Sequence, residues 1–174
     1  MTFSLYQATV PAFERSLRAL DAILDKAAAQ AETAKIDPAI YLQTRLRPDM
    51  YPLTRQVQSA CDNAKNGVGR VAGAEIPRFD DNESSLGELK ARIEKTLAFL
   101  GAVDGGAVNA AAERDVVFPL GGNKMKMKGA DYLVHFVTPN FYFHLTTAYD
   151  ILRFCGVGVG KRDFLGAVPG VSPA

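Results

Sequence analysis

The stretch Thr138–Gly156, TPNFYFHLTTAYDILRFCG, holds the densest run of aromatics in the chain and His144, one of only two histidines. Projected at about 100° per residue, Leu133, Val137, Asn140, His144, Ala148, Ile151 and Cys155 fall within roughly 40° of one line. That spacing predicts a helix capped at its C-terminus by Gly156, with His144 on the stripe a helix buries. An inward histidine is either a hydrogen-bonded core residue or the centre of a site. Thr138-Pro139 reads as an N-cap with proline in the first turn, leaving 131–137 a separate piece, or else as a kink in one helix that starts near Gly129. His135 lies about 160° from Val137 and is expected at the surface.

Three more helices precede this one. Leu5, Thr9, Phe13, Leu20, Ile23, Leu24 and Ala27 recur at three and four from Ser4 to about Ala34, in an alanine-rich stretch. Pro11 implies a start near Val10 or a kink. The other side carries Glu14, Arg18, Asp21, Asp25 and Lys26, with Glu14 to Arg18 in the favourable i to i+4 order, and reads as solvated. Asp37-Pro38 caps a short helical turn. A second long helix is predicted from Asp49, with Leu53, Val57, Ala60, Ala64 and Val71 on one side, ending among Gly67, Gly69 and Gly73. The third is Leu86, Leu89, Ile93, Leu97 and Leu100, opened by Ser84 or Ser85 with Glu88 as in a capping box and stopped near Gly101.

Residues 107–129 alone lack the helical pattern. Asp115–Phe118 is β-branched and aromatic, Lys124–Lys128 alternates with period two, and 119–123 joins them, so a β-hairpin is expected. Its lysine ladder reads as a charged face protecting a sheet edge rather than as an anion site. The tail, 157–174, is rich in glycine and proline and is expected to lie extended over the bundle.

Lys and Arg (20) nearly balance Asp and Glu (19), so no net field favours nucleic acid or an anionic membrane. Nor is there the aromatic interleaving that suits single-stranded nucleic acid. No run approaches the ~20 apolar residues of a membrane span, and the first ten residues lack a leader pattern. The reading is a soluble, cytoplasmic protein whose 174 residues form one domain, 1–174. Cys61 and Cys155 have no metal-site spacing and read as small buried hydrophobes. The 156–161 stretch, GVGVGK, is too short between its outer glycines for a phosphate-binding loop, and Arg162 stands where Ser or Thr is required.

What remains is a polar set facing His144. Asp49 and Gln56 share the phase of Leu53 and Ala60 on the second helix, and Asn140 stands i to i+4 from His144 on the last. Three outcomes stay open: a buried network that fixes helix packing, a small-molecule pocket around Asp49, Gln56, Asn140 and His144, or a metal site. An amide in place of a second imidazole makes a poor first shell for a transition metal.

Arg45–Leu53 with Gln56-Val57, Pro139–His144 with Ala148-Tyr149 and Ile151–Arg153, then Gly156-Val157 and Gly160–Phe164, resemble an uncharacterised bacterial family of the DinB-like superfamily. The likeness spans nearly the whole chain. It implies an all-α, up-down four-helix bundle with the hairpin before the last helix, often as a homodimer. Better-known members hold a divalent metal through three histidines, one on the second helix and an HxxxH pair on the last. Here His144 matches the second of the pair, Asn140 stands at the first, and the second helix offers Gln56 or Asp49. The resulting expectation is small-molecule binding without the tri-histidine centre. One rival is a divalent-metal enzyme of hydrolase or thiol-transferase type, with zinc or nickel on His144, Gln56 and Asn140. The other is a structural dimer module packed through Phe141, Tyr142 and Phe143.

Overall fold

Ser4 is extended and its hydroxyl accepts the Gln7 N–H, which starts α1 (Leu5–Ala34) at the first residue that can bury its face. The structure, a computed structural model, describes residues 4–172; the outermost positions of the expected domain and tail, 1–3 and 173–174, lie outside the described residues. Helix α1 runs unbroken through Pro11, which is exposed one turn after exposed Gln7, whose carbonyl thereby lacks its usual donor. The proline therefore neither starts the helix nor divides it. Asp37 caps α2 (Pro38–Gln43) through the Ala39 N–H.

Helix α3 (Leu53–Ala72) begins four residues later than expected. Pro52 takes the N-cap position and holds Tyr51 out of the helical region, so Asp49 falls in the preceding turn, exposed and beside Arg47. The expectation that Asp49 points inward is overturned. Gly67 and Gly69 do not end α3; they lie inside it because neighbours crowd them. A Cβ on Gly67 would sit 2.5 Å from a Val137 methyl.

Ser85 caps α4 (Leu86–Ala102) through the Glu88 N–H, and Glu88 returns to the Ser84 N–H. Asp104 then caps α5 (Gly105–Ala110), a short helix in a stretch expected to hold none. Strands β1 (Asp115–Leu120) and β2 (Asn123–Lys128) pair antiparallel about Gly121-Gly122, whose φ values of +57° and +82° suit a two-residue hairpin turn. The connection is thus shorter than expected. Val116 and Phe118 turn inward, while Lys126 and Lys128 bond Asp115 on the outer face and hold its carboxyl down at about 2.

The last helix is one continuous run: α6 (Gly129–Asp131), a π-helical segment Tyr132–Val137, and α7 (Thr138–Phe154). Thr138 sends both its N–H and its hydroxyl to the Leu133 carbonyl, five residues back. Pro139 has no N–H to offer His135, and the wider turn absorbs that loss. Past the π segment the buried line becomes Phe141, Leu145, Ala148, Ile151 and Leu152. Beyond Gly156 the tail is not wholly extended, since it contains α8 (Lys161–Leu165).

Helices α1, α4, α3 and α7 form the four-helix bundle, its core including Phe13, Leu17, Leu20, Val57, Ala64, Ile93 and Phe141. Phe13 meets Phe141 at 4.6 Å. Residue pairs fix the directions: Gln56 meets His144 and Gly67 meets Val137, so α3 and α7 are antiparallel. Asp62 meets Arg92 and Gly69 meets Phe99, so α3 and α4 run the same way. The crossover 73–85 must therefore return along the bundle, and two cations fasten it. Lys65, buried, donates to the Pro77 carbonyl at 2.8 Å. Arg92, only 2% exposed, donates to the Asp80 carbonyl and pairs with Asp62, Asp81 and Glu83 at 2.9 to 3.0 Å. Burial disfavours the guanidinium charge, but Glu83 and Asp62 more than offset it, so its pKa stays above the ordinary value. Cys61, beneath this network, has its thiol pushed up to about 12 by burial.

Candidate functional site

Gln56 is the fourth residue of α3, and its side chain is 1% exposed. Its amide nitrogen donates to the Tyr51 carbonyl at 3.2 Å, which turns its oxygen toward α7. There Oε1 meets His144 Nδ1 at 2.8 Å. Because that oxygen only accepts, the contact assigns the proton to Nδ1 and leaves the Nε2 lone pair free of protein partners among the described residues. Burial first, and then the positive charge of Arg55, hold the imidazole pKa below its ordinary 6.5. The site is a neutral imidazole of fixed tautomer that offers an acceptor nitrogen.

Aromatic rings and a guanidinium frame it. Tyr51 stacks against His144 with centroids 6.4 Å apart and planes at 18°, and Phe143 meets it edge-on at 5.2 Å. Arg55 lies over the Tyr51 ring at 5.7 Å and is anchored by Asp81. Burial raises the Asp81 carboxyl, but the bonds and charges of Arg55 and Arg92 outweigh it and leave the pKa below the ordinary value.

From Arg55 a cleft of about 280 Å³ runs along α3 toward the hairpin. Arg55, Asn63, Asn66 and Arg70 line one side, and Tyr132 and Phe136 the other. Arg70 donates to the Tyr132 hydroxyl at 3.0 Å. The π segment supplies Tyr132 and Phe136, and Phe118 of β1 packs on both at 4.6 and 4.8 Å. The cleft is a polar, arginine-edged groove with an aromatic wall.

Of the four expected residues, the fold brings together Gln56 and His144. Asp49 is elsewhere, for the reason given above. Asn140 is half-buried on the right helix, but its amide donates to the Phe136 carbonyl of its own helix at 2.7 Å. Asn140 and His144 still stand i to i+4 within α7, but with the Asn140 amide turned to Phe136 no hydrogen bond joins the two side chains among the described residues. His135 is exposed, as expected. Tyr51, Arg55, Asn66, Arg70, Tyr132 and Phe136 escaped the sequence reading. A signal existed: Arg55, Ser59, Asn63, Asn66 and Arg70 recur at helical spacing as a polar stripe.

A divalent ion on His144, Gln56 and Asn140 does not fit these residues. The set offers one imidazole nitrogen, one amide oxygen already accepting from that same imidazole, and one amide tied to backbone. Zinc and nickel sites are built from several nitrogen or thiolate donors, and Arg55 adds a positive field. Among the described residues no group of three or more His, Cys, Asp or Glu could hold a metal. No helix among them is long and apolar enough to cross a membrane.

Comparison with known proteins agrees with the architecture. A family model described as a domain of unknown function, DUF1993, matches residues 5–165. Among solved structures, the crystal structure of a DinB family member protein from Shewanella denitrificans is similar with a TM-score of 0.90. The two chains are 43% identical, over 97% of this chain and 96% of that one. No curated protein matches the chain.

Proposed function

The chain belongs to the DUF1993 family, a DinB-like domain of unknown function, and from that premise we propose that it binds a small organic molecule, without a metal, in the groove between α3 and α7. The observation that carries this reading is the His144–Gln56 bond, because it fixes the tautomer and so prepares one acceptor nitrogen, on an imidazole whose pKa burial and Arg55 hold below the ordinary value. A ligand that donates a hydroxyl or N–H to Nε2 and lays a planar face on the exposed Tyr51 ring beside the imidazole uses what these residues offer. Arg55, between the imidazole and the cleft, suits an anionic or strongly accepting group on the same molecule.

The test is a ligand-observed NMR screen of small phenols and aromatic acids, run on wild type and on His144→Ala. Hits that vanish in the variant support the reading; a screen with no His144-dependent hit refutes it. Elemental analysis of untagged protein belongs beside it. Near-stoichiometric metal that disappears in His144→Ala would replace this reading by the divalent-metal enzyme.

A second reading rests on a separate observation. Phe143 and Phe154, three turns apart on one face of α7, are 58% and 73% exposed. Such a stripe suits a contact between two copies of the chain. Light scattering behind a sizing column, on wild type and on Phe143→Ser with Phe154→Ser, tests it. A monomeric wild type sinks the dimer.

A further inference from the structure

The outer face of α1, expected to be solvated, is crossed by the C-terminal segment. Asp163 pairs with Lys26 at 2.6 Å, and Phe164 meets Tyr149 edge-on at 5.5 Å. Gly166, at a φ of +63°, lets the chain pass so close that a Cβ there would lie 3.2 Å from Ala19 Cβ. Between α1 and this strap lies a cleft of about 520 Å³, larger than the one beside α3.

Arg15 and Arg18 of α1 and Arg162 of α8 line this cleft together with Glu14. No ion pair among the described residues engages any of these three arginines. The Arg15 Nε, buried, has no acceptor among those residues either. An orphaned buried guanidinium donor beside two more unpaired guanidiniums is a site short of an anion. Asp163 is already neutralised by Lys26, so three positive charges face Glu14 alone and leave an excess of two. That excess matches a phosphate monoester, which carries about −1.5 to −2 at neutral pH. Ala19 and Ala22 provide a small apolar wall beside the arginines.

We propose that the α1–strap cleft binds an organic phosphate, with Arg15, Arg18 and Arg162 on the phosphoryl oxygens and the ester's carbon portion against the alanine wall. This site is independent of the His144 groove. The test is isothermal titration calorimetry of the full chain with phenyl phosphate, inorganic phosphate and phenol at physiological ionic strength. Phenyl phosphate is expected to bind in a manner that depends on the three arginines, inorganic phosphate more weakly, and phenol with no dependence on those arginines. Arg15→Gln, Arg18→Gln and Arg162→Gln should each weaken phenyl phosphate binding ~10-fold or more, the scale of a lost hydrogen bond to a charged group. Lys124→Gln removes the same charge from the hairpin ladder and His144→Ala removes the imidazole, and both should bind as wild type does. The proposal is overturned by absence of binding, by indifference to the three arginine variants, or by an equal loss in Lys124→Gln or His144→Ala. Phenol binding that the three arginine variants weaken as much as they weaken phenyl phosphate binding also overturns it. Circular dichroism confirms that each variant is folded.

Discussion

Replacing Arg92 by methionine keeps most of the side chain's volume and removes the charge that fastens the crossover. Its three carboxylate partners fare differently. Asp62 keeps Lys65 at 3.4 Å, and Asp81 keeps Arg55. Glu83, whose side chain is 9% exposed, keeps only the Gln58 amide at 2.8 Å and loses its cation. Breaking a buried pair by removing one partner costs about 3–5 kcal/mol. The lower end applies here, because Glu83 retains one hydrogen bond and the orphaned Arg92 Nε disappears with the guanidinium. About 3 kcal/mol corresponds to a fall in Tm of roughly 6–12 °C for a domain of this size. Urea unfolding followed by circular dichroism measures the change, and Arg92→Met with Glu83→Gln should recover at least ~1 kcal/mol of it. A single variant that loses less than ~1 kcal/mol, or a double variant no more stable than the single, would refute the assignment of the cost to the stranded Glu83.

Three further outcomes follow from the helix contacts. Since the folded-state pKa of His144 lies below 6.5, the unfolded chain takes up its proton first as pH falls; the histidine's contribution is fully present above pH 6.5 and is lost as pH drops through the folded value. His144→Gln should flatten that part of the stability–pH curve, and an unchanged slope between pH 7 and 5 would contradict the shift. Gln56→Leu strands both the Tyr51 carbonyl and the imidazole N–H, and should lower unfolding free energy by about 1–3 kcal/mol in denaturant titration. Gly67→Ala drives a methyl into Val137, and thermal melts should show a loss of about 1–3 kcal/mol from overpacking despite alanine's better helix propensity.

Much of the frame was legible because it rests on local signals. The stripe Leu89, Ile93, Leu100, the Ser85–Glu88 cap and the alternation of Lys124–Lys128 all declare themselves within a few residues. The His144–Gln56 contact could be anticipated because each lies on its own helix's inward arc. Asn140 was misjudged as a ligand, because its amide turns back to the Phe136 carbonyl one turn behind, next to the wider turn in which Thr138 takes the Leu133 carbonyl, and periodicity shows neither. The warning was Pro139, a missing donor in a helical pattern. Asp49 failed through Pro52, which delays the helix although the apolar spacing continues backwards. Arg92 sits one residue from the buried Ile93, and nothing in periodicity shows that an acidic crossover covers it. A strap over the bundle was expected from the tail's composition, but its seat on α1 was not legible for the same reason: a polar helical face looks alike whether water or a distant segment covers it.

The shared direction of α3 and α4 also bears on how the chain reaches its native state. Two antiparallel helices on a short loop can dock as a local event, but these two meet only after the crossover has closed the long way round. Loop-closure entropy is spent before the Arg92 and Lys65 contacts form, which places them late on the folding route. They then act on the exit rather than the entrance, holding the assembled bundle against opening while scarcely hastening its formation. The crossover thereby adds to the persistence of the folded molecule a contribution separate from that of its four-helix core.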